Sequence, residues 1–272
     1  MVVAFLSGVA GVLETSDVGL ALIAGSAGTA RSAEGLGRAV VDGVIAYSLA
    51  SDDAALEAAR QRGRPTVMVD QPRPEGAPWV GIDDRAAAQA VARELVAAGH
   101  RRVGIVSFGM NLTADRSMVT LDTLPPMTLD VTVRRLAGYR DALAAVVSPG
   151  DIPITHGRDS TIAEGRAGAA ALLASRPDLT ALICLSDQLA IGVIGALTNI
   201  GHTVPRDLSI VGFDGTHVAG VDGLTLTTIC QPHEEKGRAA ARLLLAVLRG
   251  EAPESITLPH DLIVGTSVAP VG

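Results

Sequence analysis

Six residues carry side chains suited to holding a polar molecule and stand where the chain pattern could place them to do so: Asp70, Arg135, Ser186, Phe213, Asp214 and Gln231. Asp214 closes the apolar run 209–213, and a carboxylate there can accept two hydrogen bonds from neighbouring hydroxyls or from an N–H pair. The plainer reading is an aspartate that caps the turn Asp214-Gly215. Phe213, just before it, is one of the few rings in the chain. Arg135 offers a planar fork of donors that fits hydroxyl oxygens, carboxylates or phosphates. Arg134 takes that part if the register slips by one, and a solvated arginine at a helix start is the alternative to both. Asp70 ends the run 66–69 and precedes Gln71-Pro72, so it is either a binding carboxylate or a turn former. Gln231 can donate and accept at once. Ser186 and Asp187 open a helical pattern, where each serves as readily as a cap as it does as a contact.

Catalysis finds little support. Ser7-Gly8 and Ser107-Phe108-Gly109 do not make a Gly-x-Ser-x-Gly elbow. The six histidines show no metal-binding spacing, and His156, within Thr155-His156-Gly157, stands alone. Gly25-Ser26-Ala27-Gly28 and Gly35-Leu36-Gly37 lack the Gly-x-Gly-x-x-Gly spacing of a nucleotide loop. No catalytic residue, metal or cofactor is expected.

The elements that must position these residues can be read from periodicity. Short β-branched runs at 19–24, 43–46, 66–69, 103–107, 179–185 and 209–213 alternate with longer stretches rich in Ala and Leu. That alternation marks βαβ units and a mostly parallel sheet. Asp83 and Asp84 can cap a helix carrying Ala87, Val91 and Leu95; Gly99 ends it and a buried strand follows. Ser186-Asp187 can cap a second helix carrying Leu189, Val193 and Leu197, which Gly201 ends before the next strand. Residues 2–6 open a helix. The stretch 109–133 has little periodicity and reads as an irregular segment at a domain boundary.

Composition narrows the function. The 272 residues include 48% hydrophobic and only 2% aromatic residues, with a mean hydropathy of +0.36, so the core is aliphatic. The net charge is −7, and an acidic chain lacks the clustered cations that neutralise nucleic-acid phosphates. The basic spot His100-Arg101-Arg102 follows a helix end, where cations complement the dipole. Cys184 and Cys230 make no disulfide framework and read as free thiols. No secretory leader is evident and no apolar run is long enough to span a bilayer, so a cytoplasmic protein without membrane contact is expected.

Several segments, in order, carry a resemblance. They are Gly99-His100-Arg101-Arg102-Val103, Arg135-Leu136-Ala137-Gly138-Tyr139, Ser186-Asp187-Gln188-Leu189-Ala190-Ile191-Gly192 and 204–214 (Val-Pro-Arg-Asp-Leu-Ser-Ile-Val-Gly-Phe-Asp). Leu226-Thr227-Thr228-Ile229-Cys230-Gln231-Pro232 and the terminal 256–264 follow. Together they resemble the effector-binding part of the LacI/GalR family of transcription regulators over most of the chain.

That resemblance implies an α/β fold of the periplasmic-binding-protein-like type: two Rossmann-like lobes, joined by three crossovers, with a ligand in the cleft between them. The crossovers are expected near Phe108, near Gln231-Pro232 and at 254–256. One lobe then holds 1–108 plus 233–255, and the other 109–232 plus 256–272. It further implies ligand roles for Asp214 and for Arg135, the arginine of the family's Arg-x-x-Gly motif, with Asp70, Phe213, Gln231 and Ser186 at the cleft.

Three departures from the family's pattern are expected: no helix-turn-helix headpiece and no first, central strand of lobe one in this sequence, and Gly265 where the family usually has an arginine. The expected partners are a small polar effector, such as a sugar or related metabolite, and a second copy of the chain, joined through helices 2–13 and 188–199. Operator DNA is expected to be reached only through a headpiece absent from this sequence. A transport binding protein of the same fold is the competing class. An enzyme on a doubly wound fold is the third.

Overall fold

A computed structural model of the protein describes residues 2–23, 30–72, 76–109, 117–216 and 223–271. The glycine-bearing run 25–28 and part of the irregular stretch, 110–116, lie outside the described residues. The chain runs α1 (Val2–Leu13), α2 (Ala30–Arg38), β1 (Val44–Tyr47), α3 (Ala54–Gln61), β2 (Thr66–Val69), β3 (Trp79–Gly81) and α4 (Asp84–Ala97). It continues through β4 (Val103–Phe108), β5 (Ser117–Thr120), α5 (Asp130–Leu143), β6 (Pro153–Gly157), α6 (Ile162–Ser175) and β7 (Ala181–Cys184). The last elements are α7 (Asp187–Asn199), β8 (Ser209–Val211), β9 (Thr228–Cys230), α8 (His233–Leu248), β10 (Ile256–Thr257) and β11 (Asp261–Ile263).

These elements form two compact units. Unit 1 comprises Met1–Asp83, Thr128–Val131 and Pro232–Pro259; unit 2 comprises Asp84–Met127, Thr132–Gln231 and His260–Gly272. The expected boundary near Phe108 is therefore displaced to Asp83/Asp84. The reason lies in the pairing of β4: it is the middle strand of the unit 2 sheet, flanked in parallel by β6 and β7. The last boundary moves from 254–256 to Pro259/His260, because β10 pairs in parallel with β3 of unit 1. A third boundary between the units lies at Gln231/Pro232.

In unit 1 a parallel sheet of order β1-β2-β3-β10 is covered by α8 and α1. α1 carries no charged residue and buries Phe5, Gly8 and Val9. A Cβ on Gly8 would stand 1.9 Å from the Glu234 carbonyl oxygen, and one on Gly237 2.0 Å from that of Phe5. The two helices thus cross with backbones in contact, which only glycine permits. Phe5 stacks on Tyr47 with ring centroids 4.4 Å apart, and Val67, Val69, Val80, Ala239, Ala240, Ala241 and Leu243 belong to the same buried cluster. The run expected as a strand at 19–24 forms none over its described part, and Leu20, Leu22 and Ile23 are exposed. Its residues favour a strand, but a strand needs a neighbour for its backbone groups, and β1 is the edge of the described sheet.

Unit 2 carries a five-stranded sheet, β5-β6-β4-β7-β8, parallel except for β5. Part of the stretch read as irregular thus supplies an edge strand and the start of α5. A two-stranded antiparallel ribbon, β9 with β11, continues beyond β8 through single bridges at Val211 and Asp214. Ser186 caps α7, its Oγ accepting from the Leu189 N–H at 3.2 Å.

The final segment is tied to the sheet by His100, buried to 3% exposure. Its Nε2 donates to the Ala269 carbonyl at 3.0 Å, which leaves Nδ1 to accept from the Thr180 hydroxyl at 2.9 Å. Burial lowers the pKa of His100; the Ala269 bond opposes this, while Arg101 and Arg102 add to it. The unfolded chain takes up the proton near pH 6.5 and the folded chain resists it. The stability contributed by neutral His100 is therefore complete above that pH and is lost as pH falls through the folded-state value. Urea midpoints should drop between about pH 7.5 and about pH 5.5. His100→Gln should flatten that slope without abolishing it, since buried His156 is lowered in the same direction. An unchanged slope in the variant would contradict the assignment.

Candidate ligand-binding site

Strand β8 is short and wholly buried, and the chain leaves it through Gly212-Phe213-Asp214 at its carboxyl end, the edge where ligands bind in open α/β sheets. Asp214 has φ +124°, an unfavourable backbone for any residue but glycine. Several bonds hold it there. Its N–H donates to Ile229 O at 2.8 Å, its carbonyl accepts from Gln231 N at 3.3 Å, and Gln231 Nε2 donates to Oδ1 at 2.7 Å. Asp187 fixes the same loop: its N–H donates to Phe213 O at 2.7 Å, and its carboxylate accepts from Thr216 N at 2.6 Å and Thr228 Oγ1 at 2.7 Å. Burial raises the Asp187 pKa while these hydrogen bonds pull it back.

Arg135 lies on α5 with 4% exposure. Its Nε donates to Asp84 Oδ1 at 2.8 Å and its NH1 to Leu185 O at 2.7 Å. NH1 stands 3.8 Å from Asp214 Oδ1, and the guanidinium carbon lies 3.7 Å above the Phe213 ring. Burial works against its charge, but Asp84 and Asp214 more than offset that and hold the pKa above its ordinary value. One turn on, Tyr139 is wholly buried, and its hydroxyl finds no hydrogen-bond partner among the described residues. Burial pushes that phenol up.

The Arg135–Asp84 bond requires α5 to lie close against α4. A Cβ on Gly138 would stand 2.2 Å from Arg85 O and 2.9 Å from Gln89 N. Gly138→Ala must therefore push the helices apart. We expect a loss of about 1–3 kcal/mol in chemical denaturation, with a weaker Arg135–Asp84 contact. A variant as stable as the parent would show that the crossing yields freely.

Arg135, Phe213, Asp214 and Gln231 are thus brought together. Asp84 joins them, although the sequence pattern presented it only as a helix start. Its clue is its position just past β3, a three-residue strand too short to register by periodicity. Ser186 is placed next to Leu185 but acts as the α7 cap and pairs with Ser160 Oγ at 2.6 Å.

Asp70 belongs to unit 1, at the carboxyl end of β2, with φ +52°. Both its oxygens accept from Lys236 Nζ, at 2.6 and 2.7 Å, and Lys236 is 0% exposed. The carboxylate read as a ligand contact is half of a buried ion pair, because α8 carries a lysine over that strand end. No group of His, Cys, Asp and Glu suited to a metal occurs among the described residues, and no described helix is long and apolar enough to cross a membrane.

Comparison with known proteins places this arrangement. Residues 92–268 match the model of the periplasmic binding protein-like domain. The chain is 36% identical over 274 residues to the HTH-type transcriptional regulator IpsA of Corynebacterium glutamicum, covering 98% of this chain and 75% of that protein. It superposes with a TM-score of 0.88 and 36% identity on the crystal structure of a LacI-family transcriptional regulator from Corynebacterium glutamicum, over 98% of this chain and 80% of that one. A LacI-family regulator from Enterococcus faecium, solved with bound ribose, matches at 27% identity and a TM-score of 0.81, over 100% and 95% of the two chains. With its two α/β units and this set of relatives, the chain belongs to the LacI family of transcriptional regulators, of which it is the periplasmic-binding-protein-like effector domain.

Proposed function

We propose that the protein senses a small polar effector, a sugar or related metabolite, and that it is a cytoplasmic regulator without catalytic activity. The observation that carries this reading is Arg135 held between two buried carboxylates and over a ring, at the carboxyl end of a parallel sheet. A relative solved with ribose supports the choice of ligand class. Operator contacts are assigned to a headpiece and not to this domain, in keeping with the net charge of −7. The domain works as a homodimer; α1, uncharged throughout and with Val2 and Val3 exposed, supports that pairing.

Calorimetry tests the site. Arg135→Lys keeps a charge but loses the fork, and Asp214→Asn keeps the shape but loses the charge. Each should weaken binding of the sugar that a thermal-shift screen returns by about 1–3 kcal/mol. Parent-like affinity in both variants would put the site elsewhere.

A further inference from the structure

Resting on that reading, we infer that Gln71 of unit 1 is a further ligand-binding residue, whose carboxamide takes a ligand edge that donates and accepts at neighbouring atoms. It stands two residues past β2, at the carboxyl end of the parallel sheet of unit 1, the edge at which open α/β sheets bind ligands. The residue is 0% exposed, and neither Oε1 nor Nε2 has a hydrogen-bond partner among the described residues. Asp70, just before it, is bonded to Lys236. A buried amide with nothing to bond costs free energy at both of its ends, and folded proteins seldom leave one so.

The backbone that carries this amide is held in place. The Gln71 carbonyl accepts from Trp79 Nε1 at 2.6 Å, and the Trp79 N–H donates to Ser255 Oγ at 3.1 Å. Trp79 is 4% exposed and its ring lies against Gly81, where a Cβ would stand 2.3 Å from Cζ2. A ring fixed in this way fixes the loop in turn. A methionine at position 71 would fill the same volume and strand no amide. The chain instead keeps a donor and an acceptor side by side on a held loop, preorganised for a partner with the matching pair. Two neighbouring hydroxyls of a sugar supply that pair, and so does the edge of a nucleobase. A phosphate or carboxylate only accepts, and would leave Oε1 unbonded.

The test uses the whole chain and two variants, Gln71→Met, which keeps the length of the side chain, and Gln71→Leu. Without ligand, both should raise the urea midpoint above the parent's, because no stranded amide remains. Calorimetry with ribose, glucose, adenine and uracil finds which of the four binds the parent. Both variants should bind that molecule about tenfold or more weakly. Rising stability with falling affinity cannot come from a damaged fold. A midpoint that falls or stays would mean that water already satisfies the amide, and would overturn the inference. Parent-like affinity in the variants would overturn it too, while leaving the sugar reading intact, and so would a parent that binds none of the four. If adenine or uracil binds the parent, neither sugar does, and the variants lose that binding, Gln71 keeps its role and the sugar reading fails.

Discussion

Arg135→Ala is expected to destabilise unit 2 by about 3–5 kcal/mol, because it takes the guanidinium from the buried carboxylate of Asp84 that it is bonded to. The guanidinium is 5% exposed, bonded to Asp84, close to Asp214, and stacked on Phe213. With it gone, Asp84 loses its ion-pair partner and the Leu185 carbonyl its donor. The loss should appear in a urea midpoint at neutral pH. Arg135→Lys should recover only part of it, since an ammonium cannot reach Asp84 and Leu185 with the fixed angles of a fork. A cost under about 1 kcal/mol, the worth of a surface pair, would mean that the cluster is wetter than its burial indicates.

Lys236→Met should cost a similar amount, in unit 1. Lys236 is wholly buried and gives two bonds to Asp70, whose own side chain is 6% exposed. Methionine matches the stem of lysine but takes the ammonium from the aspartate, and breaking such a pair costs about 3–5 kcal/mol. Replacing both partners is a different experiment. Lys236→Met with Asp70→Asn removes both charges of the pair, and it should restore much of the stability lost in the single variant. The comparison separates a structural pair from a ligand contact. If Asp70 served only the ligand, the two substitutions would be additive in stability.

The sequence alone determined a good deal. Alternating β-branched runs and Ala-Leu helices with Asp, Ser and Gly at their ends were enough to predict a doubly wound fold. α4 and α7 begin and end at the signals those residues give. Asp214 after an apolar strand, and Arg135 with Gly138 three residues on, were legible as candidates because a strand's carboxyl end and a helix's period are local properties.

What the tertiary structure decided is everything that depends on which strand lies beside which. β4 looked like the last strand of the first domain, and only its pairing with β6 and β7 makes it the centre of the second. Asp70 and Asp214 look alike in sequence: each follows an apolar strand. One faces Lys236, 166 residues away, and the other shares Arg135 with Asp84. Pairings over such distances leave no periodicity to read. They are set when α8 folds over β2 and when Gly138 lets α5 close on α4. Burial then keeps water from screening the charges those contacts bring together.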